Sequence, residues 1–300
     1  MPQDVATGDA KTNAGAKVYL NYTAEELDWQ YDHSKRFADT SAFNRDRAAK
    51  SAEVRQKIKG QLNVPYGPGK TDLLDIYPAA QKDAPIGVFI HGGAWTRGAK
   101  NDYSFPAEAF VPRGVTWIVT EFDNIPPGTL DTMVKQNRDA IAWVYRNASS
   151  FGGDPNRIHV LGHSSGGHLS AMMQCTDWQK LYGLPGDLLK GGVCMSGIYD
   201  LEPIFLSYRN KYLGMDEGMW RRNSPIHNIR DDYMPPLIIG CGEHDTAEFH
   251  RQPLAFLEAT KKKGHKAQWF ELAGRHHFAV SHAFSEDGPL LQAIFKQMGV

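Results

Sequence analysis

The sequence predicts an α/β fold, with a mostly parallel central sheet, helices on both faces and a small cap segment. Short apolar runs alternate along the chain with longer stretches of helical periodicity. Most of these runs end at a glycine or a turn cluster. No internal repeat or low-complexity linker interrupts the alternation.

Residues 1–16 are small and polar and are expected to form a flexible arm, with residues 17–300 as one domain. Thr23 with Glu26 three residues on is a capping-box pattern, and it opens a helix anchored by Tyr22, Leu27, Trp29 and Tyr31. A charged helix is expected over 44–59. Residues 71–77 roughly alternate apolar and polar, as a half-buried strand does. Residues 85–90 are a short apolar run ending at a glycine-rich turn, and 115–120 are rich in β-branched residues, so both read as strands. Leu130, Met133, Val134, Asn137, Ile141 and Val144 recur at helical spacing, in a helix that Gly152-Gly153-Asp154-Pro155 stops. Strands are then expected at 157–161, 191–195, 237–241 and 266–272, and helices at 165–174, 248–263 and 282–298. The stretch 201–236 lacks clear periodicity and is expected to lie above the strand ends as a cap over a pocket.

Bulk properties bound the function. Of 300 residues, 41% are hydrophobic and 22% charged, which suits a globular chain. Lys and Arg total 33 against 34 Asp and Glu, so the basic footprint of nucleic-acid binding is missing. The Lys261-Lys262-Lys263 run falls late in an expected helix, where cations complement the helix dipole. Cys175, Cys194 and Cys241 are odd in number, widely spaced and set in apolar segments, so neither a disulfide framework nor a zinc pattern is expected. The N-terminus lacks a basic stretch followed by an apolar run, and no segment is apolar enough to span a bilayer. The expectation is a cytoplasmic protein with no membrane and no nucleic-acid partner.

The chemistry concentrates in three places. Gly162-His163-Ser164-Ser165-Gly166 matches G-x-S-x-G between an expected strand and an expected helix. In that context the central serine sits on a sharp turn with its hydroxyl exposed, as in the α/β-hydrolase fold, so Ser164 is the candidate nucleophile. His91-Gly92-Gly93-Ala94-Trp95 follows an earlier strand and can offer backbone N–H groups to a tetrahedral oxyanion. Gly92, Gly93, Ala94 and Ser165 are assigned to that oxyanion hole, with Gly92 shaping the turn and the other three donating. His91 is expected to orient the loop by hydrogen bonding.

The third place holds the acid and the base, which in this fold follow the serine in the order Asp or Glu, then His. The turn after strand 237–241 reads Gly242-Glu243-His244-Asp245; Asp245 is the first choice for the acid and Glu243 the alternative. After strand 266–272 come His276 and His277, and the residues alone leave both open as base, with His282 less favoured. A serine hydroxyl needs a base within hydrogen-bond reach, and a carboxylate fixes the tautomer of that base. The clustered histidines show no H-E-x-x-H or Cys/His ligand spacing, so no metal and no other cofactor is expected.

With these motifs in view, the chain resembles the arylformamidases, or kynurenine formamidases, of the α/β-hydrolase superfamily. The resemblance runs from Trp29-Gln30-Tyr31 to near the C-terminus. It includes the two glycine-rich motifs, Pro127-Gly128-Thr129-Leu130-Asp131, and the continuation of the serine motif to His168-Leu169. The more specific segments are Asp200-Leu201-Glu202-Pro203-Ile204, Asn223-Ser224-Pro225 and Glu248-Phe249-His250-Arg251-Gln252. The resemblance places the acid at Asp245, and it places the base directly before a phenylalanine, which selects His277-Phe278. Relatives usually carry an acidic residue where this chain has His276, a departure expected to alter pocket charge or the pH profile.

The resemblance implies hydrolysis of an aryl formamide such as N-formylkynurenine through an acyl-enzyme on Ser164. The partner is then a small aromatic amide or ester. Related chains cleave esters, carbamates or other amides with the same machinery, so a carboxylesterase, amidase or carbamate hydrolase is the alternative reading. A non-catalytic binding protein on the same fold is a third. Trp95, His163, Tyr199 and Phe205 are candidate pocket residues, together with Tyr208, Tyr212, Trp220 and His276. Arg209 and Lys211 lie in the same block, where a substrate carboxylate could pair. Relatives are often dimers, so a homodimer is an expectation carried by the resemblance alone.

Overall fold

The computed structural model describes residues 15–33 and 40–300. The expected N-terminal arm lies, up to residue 14, outside the described residues. A small hairpin, β1 (Lys17–Tyr19) and β2 (Tyr22–Thr23), leads into α1 (Ala24–Tyr31). The expected capping box is present there: the Thr23 hydroxyl accepts from the Glu26 N–H, and the Glu26 carboxylate accepts from the Thr23 N–H at 2.7 Å. Helix α2 (Thr40–Lys57) starts four residues earlier than its charge pattern suggested.

The rest of the chain builds one eight-stranded sheet. It comprises β3 (Gln61–Pro65), β4 (Leu73–Tyr77), β5 (Ala84–Ile90), β6 (Thr116–Thr120), β7 (Gly153–His163), β8 (Leu189–Met195), β9 (Leu237–Gly242) and β10 (Ala267–Leu272). Strands lie in the order β10-β9-β8-β7-β5-β6-β4-β3. Pairs β3–β4 and β4–β6 are antiparallel and the others parallel. Every residue of β5 and β6 is buried, as strands covered on both faces require. Strand β3 has no counterpart among the expected elements. It is a mostly exposed edge strand whose Gln-Leu-Asn-Val-Pro carries little apolar signal.

Alternation along the strands splits the core. Val88, Ile90 and Val160 face helices α4 (Leu130–Asn147) and α5 (Ser165–Gln174). Phe89, Leu161 and Ile238 face the other way, onto Phe110 of α3 (Ala107–Phe110) and Ile294 and Phe295 of the C-terminal helix. Residues 282–298, expected as one helix, are broken. Ser281–Phe284 is a 3₁₀ turn, and the last helix runs Pro289–Met298, because a proline fits in the first turn of a helix and not in its interior. Gly152 does end the α4 region, at φ 76°, but Gly153 already opens β7.

Four short helices follow α5 and precede β9: α6 (Trp178–Tyr182), α7 (Glu202–Leu206), α8 (Asn210–Leu213) and α9 (Glu217–Arg222). Helix α6 precedes β8, and the other three lie in the stretch that showed no periodicity. After β9 come α10 (Ala247–Lys262), packed on the α5 side through Phe256, then α11 (His277–Val280) and α12, the Pro289–Met298 helix. Among the described residues no helix is long and apolar enough to cross a membrane.

Candidate active site

The order of strands selects where a site can form. From β5 the chain moves outward to β6 on one side and then returns to β7 on the other. Loops leaving β5 and β7 therefore diverge and open a crevice at the carboxyl ends of the strands, the usual place for ligands in such sheets. The β5 loop carries Gly92-Gly93-Ala94, and the β7 turn carries Ser164.

Ser164 joins β7 to α5 with φ 59° and ψ −128°, a conformation that L-residues hold only under constraint. The constraint is close packing. A Cβ on Gly162 would lie 2.1 Å from the Gly166 carbonyl oxygen, and one on Gly166 would lie 2.1 Å from the Ile90 carbonyl oxygen. Glycine at both positions lets α5 press against β5 and β7 and turns the serine side chain outward.

Ser164 Oγ lies 2.8 Å from Nε2 of His277, and Nδ1 of His277 lies 2.8 Å from Oδ1 of Asp245. The carboxylate can only accept, so Nδ1 carries the proton and Nε2 is free to accept from the serine hydroxyl. The other carboxylate oxygen of Asp245 accepts from Ser196 Oγ at 2.7 Å and from the Gly242 N–H at 3.0 Å. Burial pushes the Asp245 carboxyl up. The contacts with His277 and His33 outweigh that and hold it well below the usual carboxylate range. Asp245 and His277 are both buried.

The two alternatives point elsewhere. His276 caps α11, its ring accepting from the Ala279 N–H and meeting Phe43 edge-on at 4.7 Å. The Glu243 carboxylate accepts from the Gly274 N–H at 2.7 Å.

A residue without a sequence signal joins this group. His33, just past α1, stacks on His277 with ring centroids 3.9 Å apart, and its Nε2 lies 3.4 Å from Asp245 Oδ1. It is delivered there because Gln30 and Tyr31 are bound to α10 and its N-cap. Thr246 donates to the Gln30 carbonyl at 2.8 Å, and the Tyr31 hydroxyl donates to Glu248 at 2.9 Å. Burial, with the neighbouring His277 charge, lowers His33 to about 3, so it is a neutral imidazole. His163 is likewise driven well below its ordinary value by burial first and His277 second.

The crevice is a cavity of about 740 Å³ with Ser164 and His277 in its wall. Tyr103, Tyr208, Tyr212 and Phe278 supply aromatic surface, and Arg47, Arg97 and Arg209 supply guanidinium groups. Among the described residues none of these three arginines forms an ion pair. Arg209 is buried and donates to the Tyr31 carbonyl, and Arg47 lies 4.2 Å from the Tyr103 ring centroid.

Of the candidate pocket residues, His163, Tyr208 and Tyr212 line the cavity, and Trp95, Tyr199, Phe205, Trp220 and His276 do not. Trp95, at φ 62°, turns into the core, where its indole N–H donates to His168 Nδ1. Tyr199 is fully buried against Phe256, with its hydroxyl donating to the Cys194 carbonyl. Phe205 and Trp220 pack under the short helices, against the main core.

The Gly93 and Ala94 N–H groups have no acceptor among the described residues. Ser165 opens α5, where a helix leaves its first N–H groups without an intrahelical acceptor. His91 ties this loop down, with Nε2 3.1 Å from Glu121 and Nδ1 2.9 Å from the Gly92 carbonyl oxygen. His33, Asp245 and His277 also have ligand atoms within 4.8 Å of one another. An ion there would compete with His277 Nδ1 for Asp245 and dismantle the relay.

Comparison with known proteins agrees with this fold. Residues 74–191 match the BD-FAE family model. The kynurenine formamidase of Danio rerio is 29% identical over 93% of this chain and 98% of its own length. That of Salmo salar is 31% identical over 92% of this chain and 96% of its own. Among solved structures, esterase B of Lactobacillus rhamnosis superposes with a TM-score of 0.69 at 16% identity, covering 87% of this chain and 96% of that one. The protein is a hydrolase of the α/β-hydrolase fold, and it belongs to the kynurenine formamidase family.

Proposed function

We propose that the protein hydrolyses an aryl formamide of the N-formylkynurenine type through a formyl-enzyme on Ser164. The observation that carries this reading is the continuous pair of 2.8 Å contacts from Ser164 through His277 to Asp245. A lone serine hydroxyl is a weak nucleophile, and this relay gives it a base held in the right tautomer.

The steps follow from the atoms. His277 Nε2 takes the hydroxyl proton as Ser164 Oγ bonds to the formyl carbon. The N–H groups of Gly93, Ala94 and Ser165 receive the oxyanion, each worth about 3 kcal/mol in the transition state. His277 then gives its proton to the aryl nitrogen as the C–N bond breaks. A water, deprotonated by the same imidazole, attacks the formyl ester; formate leaves and Ser164 regains its proton. Asp245 stays ionised throughout and stabilises the transient imidazolium.

The cavity supports the substrate class. Its aromatic surface suits an aryl ring, and three guanidinium groups without ion pairs among the described residues favour a substrate carboxylate. We read residues 201–236 as the cap of one domain spanning 17–300, with Tyr208, Arg209 and Tyr212 facing the substrate.

The test is a panel of kcat/KM values for N-formylkynurenine, short nitrophenyl esters, aryl carbamates and aryl amides, in wild type and Ser164→Ala. The expected result is a preference for the formamide and nearly complete loss in the variant. An ester preference of several decades moves the assignment to a carboxylesterase. Failure of a covalent serine probe to label Ser164 moves it to a binding protein.

A further inference from the structure

We propose a second site, for a divalent ion of the zinc class, at Cys241, His250 and Glu271. It lies outside the cavity described above and takes no part in the hydrolytic steps. Strand register creates it. Cys241 on β9 and Glu271 on β10 are direct cross-strand partners, so their side chains leave the same face of the sheet. That face is the one that α10 covers, and His250 stands in the first turn of α10.

The ligand atoms are close to their binding positions. His250 Nδ1 is 3.3 Å from Cys241 Sγ and 3.8 Å from a carboxylate oxygen of Glu271, and all three atoms lie within 4.8 Å of one another. Zinc bonds of about 2.0–2.3 Å to N, O and S place tetrahedral ligands roughly 3.3–3.8 Å apart. The imidazole is already oriented. Its Nε2 lies 3.3 Å from the Glu243 carbonyl oxygen, an acceptor only, so in the neutral ring the proton sits on Nε2. That leaves the Nδ1 lone pair facing the thiol and the carboxylate. A histidine ligand held through its second nitrogen by a carbonyl is the usual outer support of such sites.

The donor set selects the ion. A thiolate and an imidazole beside one carboxylate suit zinc or cobalt, whereas magnesium and calcium require oxygen ligands. The side chains of His250 and Glu271 are 27% and 46% exposed, which gives the ion a path in and leaves a fourth position for water. Binding exchanges the Cys241 thiol proton for the metal. The ion then joins β9, β10 and α10, next to the turn that carries Glu243 and Asp245.

Cobalt(II) titration of the full chain, stripped with a chelator, tests this. One equivalent should produce a thiolate-to-cobalt charge-transfer absorption that zinc abolishes by competition. Cys241→Ser should remove the band, while Glu271→Gln and His250→Gln should each weaken binding tenfold or more. Zinc should raise the melting temperature of wild type and not that of Cys241→Ser, and stripping should leave the hydrolytic rate unchanged. Binding at His33, Asp245 and His277 instead would give no thiolate band, would inhibit hydrolysis and would persist in Cys241→Ser; that result overturns the proposal. So does the absence of a thiolate band in wild type, or an unchanged affinity in Glu271→Gln, an exposed substitution that leaves the fold intact.

Discussion

Replacing Asp245 by Asn tests the relay more sharply than deleting it, because the surroundings dictate how the amide must lie. Oδ2 of Asp245 accepts from the Gly242 N–H at 3.0 Å. That backbone group can only donate, so the amide oxygen of an asparagine must take this position. The NH₂ group is then left facing His277 Nδ1, where the carboxylate oxygen stood at 2.8 Å. Two donors cannot share that contact, so the imidazole moves its proton to Nε2 and can no longer accept from Ser164. A wrong-tautomer base costs about 10⁴ in kcat in serine hydrolases, or about 5 kcal/mol of transition-state stabilisation. The side chain keeps its shape, so folding should be unaffected. The assay is kcat/KM on an aryl formamide, with circular dichroism and the melting temperature measured alongside. A folded variant that loses less than tenfold refutes the tautomer argument.

Further expectations rest on neighbouring residues. His277→Ala should abolish turnover while His276→Ala, which removes a helix cap, should keep most of it; the opposite ranking in steady-state kinetics would reassign the base. His33→Ala removes the ring stacked on His277 and should lower kcat/KM by roughly 10²-fold through misplacement of the imidazole, whereas His33→Phe, which keeps a ring there, should lose less than tenfold. An alanine variant indistinguishable from wild type would remove His33 from the site. Burial lowers His33 to about 3 and His159 and His168 to about 4. These groups bind protons more readily in the unfolded chain, so stability is complete above about pH 6.5. It should fall as pH drops from there towards 4, by up to about 1.4 kcal/mol per pH unit for each group. Asp245 adds its loss only below 3.8. A urea midpoint that stays flat between pH 6.5 and 4 would contradict the neutral buried histidines.

Much of this protein is written in local sequence. The strands β5 to β10 and helices α4, α5 and α10 follow from apolar period, glycine turns and chain order, because each forms from residues that are neighbours in the chain. The G-x-S-x-G segment is legible for the same reason. Its glycines, its strained serine and the helix behind it all lie within a few residues. Even so, the residues alone left His276 and His277 equal, since nothing in adjacent positions says which ring faces inward. The stretch 201–236 was legible only as a gap in periodicity, because α7, α8 and α9 are too short to show a repeat.

What tertiary structure decided are the contacts between distant segments. Ser196 reaches Asp245 from 49 positions away, and Arg209 binds the Tyr31 carbonyl across 178. Trp95 and Tyr199, aromatic and close to motif residues, were drawn into the core, because backbone direction overrides proximity in sequence. Cys241, His250 and Glu271 follow no ligand spacing, and they meet because of strand register and the helix that lies over it. Local sequence is thus enough for the order of elements and for the strained turn that carries Ser164, which depend on short-range geometry. The pocket walls, the meeting of His277 with Asp245 and the Cys241, His250 and Glu271 cluster depend on how the sheet closes, and packing alone supplies that.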